Sequence, residues 1–135
     1  MLYSGIKLTD PQRLVVLSSP QAAAAIPEIL QVAGANHIPC HVLGLADPHL
    51  GFREAENLRR GQAALWRDLA DAGEVVVNIT GGTTAMQCVV EDLAVYLHRL
   101  GVKVRRVALV DRRPYEEQRA NPYVCGELVE LEPMR

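Results

Sequence analysis

Glu74-Val75-Val76-Val77-Asn78-Ile79-Thr80-Gly81-Gly82-Thr83-Thr84-Ala85-Met86 reads as a strand, a glycine turn and the opening of a helix. The run from Glu74 to Ile79 is continuously apolar between polar ends and rich in valine, which suits a strand covered on both faces, as in a parallel sheet. Gly81 and Gly82 permit backbone dihedrals closed to other residues and let the chain approach a ligand without a Cβ in the way. From about Thr84 to Leu100, Met86, Val89, Val90, Leu93, Leu97 and Leu100 share one helical face, and Gly101 ends the pattern.

The same alternation extends in both directions. Arg13 to Ser18 is a short apolar run followed by Ser19-Pro20, and an Ala-rich helix is expected from Gln21 to Ala33, interrupted by Pro27 and stopped at Gly34. Cys40 to Leu45 reads as a second strand, and one long helix is expected from about Arg53 to Ala72 with Leu58, Leu65, Trp66 and Leu69 inward and Arg59, Arg60, Arg67 and Asp68 outward. Val104 to Val110 is the fourth strand. A polar segment from Asp111 to Cys125 follows, about fifteen residues and longer than a simple connector. Glu127 to Leu131 then alternates like an antiparallel edge strand on the fourth. Residues 1–12 read as a tail or a minor edge strand. Strand–helix alternation predicts one α/β domain over residues 1–135, with a Rossmann-like, doubly wound, mainly parallel sheet flanked by helices.

The 135 residues are 49% apolar with a formal net charge of −2, enough for one core and without a basic face for long nucleic acid. No apolar run approaches membrane-spanning length, and the first residues lack a secretory layout, so a cytoplasmic protein is expected. Cys40, Cys88 and Cys125 are scattered and form no C-x-x-C pair, which reads as reduced, buried thiols rather than a disulfide frame or zinc site. Asn78-Ile79-Thr80 fits a glycosylation sequon, but a buried strand end without an export signal is no acceptor. His37 and His41 flank Pro39 and cannot share a helical face, His98 falls on an exposed helix face, and neither a metal nor another cofactor is expected. The pairs Glu54/Glu56 and Glu116/Glu117 follow solvated charge patterns. Trp66 and Tyr96 sit at core or dimer-seam positions, with core packing the stronger reading.

In an open α/β sheet, ligands bind outside the carboxyl ends of the strands. That nominates Ser18-Ser19-Pro20, Asp47-Pro48-His49, Thr80 to Thr84, and Asp111-Arg112-Arg113. The glycine turn is the strongest of these. Free N–H groups at a helix start and three threonine hydroxyls form a nest for an anion such as phosphate. The turn is neither a Walker A loop nor G-x-G-x-x-G, because the required Lys and glycine spacings are absent.

Val77-Asn78-Ile79-Thr80-Gly81-Gly82-Thr83-Thr84-Ala85-Met86 closely resembles the N-x-T-G-G-T-K-x-M signature of the CRISPR-associated Rossmann-fold (CARF) domain, the sensor of type III CRISPR ancillary proteins. The likeness extends to Ser18-Ser19 after an apolar first strand, and to Asp111-Arg112-Arg113 and Asn121-Pro122-Tyr123 after the fourth. The resemblance implies a homodimer that holds cyclic oligoadenylate, with cyclic tetra-adenylate the first choice, across its two-fold axis. Asn78, Thr80, Gly81, Gly82, Thr83, Thr84, Met86, Arg112 and Arg113 would then form the ligand-binding set. Stand-alone proteins of this kind are similar to metal-independent ring nucleases, in which a ribose 2′-hydroxyl attacks the adjacent phosphodiester. The resemblance makes Ser18, Ser19 and Thr84 the candidate catalytic residues, with Thr84 standing where the family often has Lys and Arg112 or Arg113 as a substitute cation. The other implied role is non-catalytic: a messenger sensor or sponge, or the sensor half of a larger effector. Tyr115 and Tyr123 belong to a segment that would cover the ligand or cross to a partner subunit, with Gln118 and Asn121 as candidate readers of adenine. His49 is a further candidate base contact.

Overall fold

The computed structural model describes residues 2–47 and 52–134; within the latter, the side chains of residues 52, 54, 55, 58 and 59 are outside the description. The expectations placed on Pro48 and His49, and on the side chains of Glu54, Leu58 and Arg59, therefore lie outside the described residues. In order, the chain forms α1 (Leu2–Thr9), β1 (Leu14–Ser18), α2 (Pro20–Ala23), α3 (Ile26–Val32), β2 (Cys40–Gly44), α4 (Phe52–Gly61), α5 (Ala63–Ala70), β3 (Glu74–Asn78), α6 (Thr84–Arg99), β4 (Lys103–Val110), α7 (Tyr115–Ala120) and β5 (Glu127–Glu130).

Local chemistry explains most of these boundaries. Ser19 caps α2, its Oγ accepting the Ala22 N–H at 3.2 Å, and Pro20 occupies the first turn. The helix expected from Gln21 to Ala33 is two helices, because Pro27 sits in the first turn of α3, where its missing N–H removes no helical hydrogen bond. The helix expected from Arg53 to Ala72 also divides, at Gln62 after Gly61, a residue with weak helical preference. α6 ends in a Schellman motif: Val102 N–H donates to Leu97 O, Gly101 N–H donates to His98 O, and Gly101 takes φ +84°. The amino-terminal segment, expected as a tail or minor edge strand, is the helix α1 instead. Its apolar residues pack against α3 and its Ser4 reaches the chain before β5, so a helical face rather than a strand edge is buried.

The molecule is mixed α/β with a parallel and a mixed sheet flanked by helices. β1 and β2 pair in parallel, Leu14 opposite Cys40 through Ser18 opposite Gly44. β3 and β4 pair in parallel, and β5 joins β4 antiparallel, Val107 opposite Glu130 through Val110 opposite Glu127. Among the described residues no ladder joins β1 to β3, so the strands stand as two sheets. One hydrophobic layer spans both. Val15 and Leu17 of β1, Leu43 of β2, Val75 of β3 and Val104 of β4 pack with Leu65 and Trp66 of α5 and Leu93 and Leu97 of α6. Leu14, which alternates to the other face of β1, packs with Ile6 of α1 and with Ile29, Leu30 and Ala33 at α3.

The first residues of β3 and β4 carry charge rather than apolar bulk. Glu74 bonds Lys103 at 2.9 Å and Arg105 at 3.0 Å, and Arg105 bonds Glu130 at 2.8 Å across to β5. Hydrogen bonds from Lys103 and Arg105 hold Glu74 below the usual carboxylate range, and Arg105 does the same for Glu130. Charges of this kind also discourage edge-to-edge pairing at β5.

Leu97 is fully buried, at 0% exposure, in the layer shared by both sheets. Leu97→Ala is expected to lower the unfolding free energy by about 2–5 kcal/mol. Far-UV circular dichroism and Trp66 fluorescence should report one coincident transition in both proteins. Two separated transitions would contradict a common core.

Candidate functional site

Strand β3 stops at Asn78 because the chain turns there onto its own side chains. Asn78 Oδ1 accepts the Thr80 N–H at 3.0 Å and the Thr80 hydroxyl at 2.6 Å, an Asx turn reinforced by the hydroxyl. The Thr80 hydroxyl then accepts the Leu109 N–H from β4 at 3.0 Å. The Ile79 N–H still donates to Val107 O, so the hydroxyl serves as an acceptor for β4 just beyond the last rung of the β3–β4 ladder. Thr80 is thus a structural tie between β3 and β4.

Beyond that tie, Gly81 and Gly82 both adopt left-handed backbone, at φ +79° and +72°. A Cβ on Gly82 would stand 3.1 Å from Met86 Sδ, so both conformation and space favour glycine. Thr83 caps α6, its hydroxyl accepting the Met86 N–H at 3.4 Å. Gln87 Nε2 donates to Gly81 O at 3.3 Å. The N–H groups of Gly81, Gly82 and Thr83 find no backbone or side-chain acceptor among the described residues, and those of Thr84 and Ala85 open a helix turn that has none to offer. Gly81, Gly82 and Thr84 are exposed, whereas Met86 is buried.

The strand ends converge on this turn through packing. Leu17 near the end of β1 and Leu45 just after β2 pack with Ala85, Met86 and Val89 of α6. Ser18 and Ser19 follow Leu17 in the chain. Ser18 is buried and donates to Ser19 O at 2.9 Å, while the Ser19 hydroxyl is the α2 cap. Of the two candidate nucleophile-positioning hydroxyls, only Ser19 retains surface exposure.

The loop after β4 is organised around itself. Arg113 donates twice to the Asp111 carboxylate, at 2.8 and 3.0 Å, and once to Asn121 O at 2.9 Å. Gln118 Nε2 donates to Arg113 O at 2.7 Å and Asp111 O at 3.3 Å. Arg112 is exposed and pairs with Glu127 at 2.9 Å. The polar segment therefore contains the helix α7, which sequence reading missed because a six-residue helix leaves too short a pattern. Tyr123 packs on Tyr3 with the rings tilted by 58° and their centroids 5.6 Å apart, and Gly126 N–H donates to buried Ser4 at 3.0 Å. Burial and a hydrogen bond with Glu28 push the Tyr123 phenol up. The described contacts of this segment thus run to α1 and α3, and Tyr115 is exposed.

Other candidates fall away from the turn. His37 lines a cleft of about 600 Å³ with Ile6, Lys7, Asp10 and Ile38, at the amino ends of β1 and β2. Cys88 and Cys125 are exposed rather than buried, one on the solvent face of α6 and the other in the loop before β5. Cys40 is half-buried, which raises its thiol. Tyr96 is also exposed, while Trp66 is core. Among the described residues no cluster of three His, Cys, Asp or Glu side chains is placed to hold a metal, and no helix is long and apolar enough to cross a membrane. Comparison with protein-family models and with curated proteins yields no match for this chain.

Two measurements test these assignments. Thr80→Val strands the Leu109 N–H and is expected to destabilise by about 1–3 kcal/mol, with Thr80→Ser restoring most of the loss in urea titrations. The side-chain hydrogen bonds from Arg113 hold the Asp111 carboxyl below its ordinary value. Stability from a lowered carboxyl is complete above its unfolded value, about 3.9, and is lost as pH falls through the lower folded value. Asp111→Asn is expected to flatten the stability curve below about pH 4. An acid limb as steep as the wild type would rule out that linkage.

Proposed function

We propose that this protein binds cyclic oligoadenylate, most suitably cyclic tetra-adenylate, through the turn from Gly81 to Thr84. The observation that carries the reading is a pair of left-handed glycines with free N–H groups at the start of the 16-residue helix α6. Such an end attracts anions through its donors and its dipole. The signature-like decapeptide supports the choice of this ligand class over a simple phosphate. On this reading the two sheets are halves of one Rossmann-like, doubly wound arrangement in a CARF-type domain. Two copies form a homodimer in the cytoplasm, each presenting the same donors to equivalent phosphates of a symmetric ring.

Binding is the first part of the proposal, and slow ring cleavage is the second. What supports cleavage is that Leu17, two residues before Ser19, packs against the cluster of Leu45, Ala85, Met86 and Val89. In that step the ribose 2′-oxygen attacks phosphorus and the 5′-oxygen leaves and takes a proton. The products are a 2′,3′-cyclic phosphate and a 5′-hydroxyl end. Charge stabilisation would fall to the backbone N–H groups and Thr84, since Arg113 is occupied by Asp111 and Arg112 by Glu127. A sensor or sponge needs only the binding part.

Thr84→Asp separates binding from folding. A carboxylate in the first helical turn favours the helix but repels an anion at the same end. The variant is expected to melt no lower than wild type and to bind labelled cyclic tetra-adenylate at least about tenfold more weakly. Undiminished binding, or no binding by the wild type, would overturn the proposal. Incubation with EDTA then decides cleavage, through the appearance or absence of linear product ending in a 2′,3′-cyclic phosphate.

A further inference from the structure

We infer that Gln87 is the positioning residue of the glycine turn, an inference that rests on the anion-binding reading above. Helical side chains lean toward the amino end, so a long side chain on the fourth residue after the Thr83 cap reaches back over that end. There the Gln87 amide donates to Gly81 O. The Gly81–Gly82 peptide is trans, as are the others among the described residues, so the Gly81 carbonyl and the Gly82 N–H lie on opposite sides of one planar group. Holding the Gly81 carbonyl on Gln87 turns the Gly82 N–H to the opposite side of the peptide, where it stays available to an anion.

The rest of the turn is fixed from its two ends. Thr80 is tied to Asn78 and Leu109, and Thr83 is tied to Met86. The Gly81–Gly82 peptide lies between, on the two residues with the least resistance to rotation. Among the described residues, Gln87 supplies the side-chain hydrogen bond to this peptide. Without it the plane can flip, and the flipped state offers a carbonyl oxygen to an anion. Gln87 therefore sets the sign of the turn's dipole without touching the ligand.

Gln87→Met keeps length and removes the donor; Gln87→Lys keeps a donor of similar reach. In the ligand-free full-length protein, the ¹⁵N order parameter of Gly82 is expected to fall from about 0.85 to below about 0.6 in the Met variant and to stay high in the Lys variant. Affinity for cyclic tetra-adenylate should drop about fivefold in the Met variant, the effect of one hydrogen bond of ordinary net strength, with the ligand-free melting temperature lower by no more than about 2–6 °C. Retained order in the Met variant, or lost order with full affinity, overturns the inference. Failure of the wild type to bind removes the underlying reading and the positioning role with it, while the order parameters still decide whether the tether exists.

Discussion

The surroundings of the glycine turn are arranged by the face that α6 must bury. Its lower part shares one apolar layer with strands of both sheets and with α5, and its upper part packs against Leu17 and Leu45. A helix held along its length by such contacts has no freedom to choose where its amino end points. The glycine turn lies beside the ends of β1 and β2 because Ala85, Met86 and Val89 are buried there. The position of the candidate site is a consequence of core packing, and its chemistry is superimposed on that position.

Polar accounting then separates scaffold from surface. Each buried or half-buried hydroxyl near the turn has work inside the protein: Thr80 bridges β3 to β4, Ser18 bonds the next carbonyl, and Ser19 and Thr83 cap helices. Arg113 is likewise absorbed by Asp111, two residues away. The Ser19 and Thr83 hydroxyls accept in those caps and keep their own hydrogens, so what is left for a ligand is the backbone, the exposed Thr84 and these two O–H groups. Backbone donors are rigidly placed and carry no side-chain entropy to lose, which suits recognition of a phosphate by geometry rather than by net charge.

The sequence made the long, periodic elements plain and obscured the short ones. α6 and β3 follow directly from Val75 to Val77 and from the Met86, Val89, Leu93, Leu97 spacing, and the antiparallel β5 from its alternation. α1 and α7 were hidden because eight and six residues give too few turns for a periodicity to register. The split at Gln62 escaped notice because Gly61 sits inside an otherwise regular pattern. At the site, the Gly81-Gly82 turn and its Thr83 cap were legible from residue types alone. The internal use of Thr80 was not, since a strand-end threonine looks the same whether its hydroxyl faces Leu109 or solvent. Gln87 was passed over for a related reason: nothing in a helical pattern marks which polar residue reaches back past the cap.

The two ends of α6 differ in a way that bears on why the turn is open. Its last turn carries Arg99, a cation that complements the negative end of the helix dipole, and a Schellman motif closes it. Its first turn is Thr84-Ala85-Met86-Gln87, with no acidic residue. α3 and α7, in the same chain, place Glu28 and the pair Glu116–Glu117 in that position, whereas α1, α2 and α5, like α6, place no acid there. A carboxylate there would add stability to α6, the longest helix in the described chain. Leaving the place to neutral residues keeps the positive end of the dipole uncompensated, and two glycines remove the side chains that would screen it. On the proposed reading, this open end is where a negative charge from outside would complete the helix.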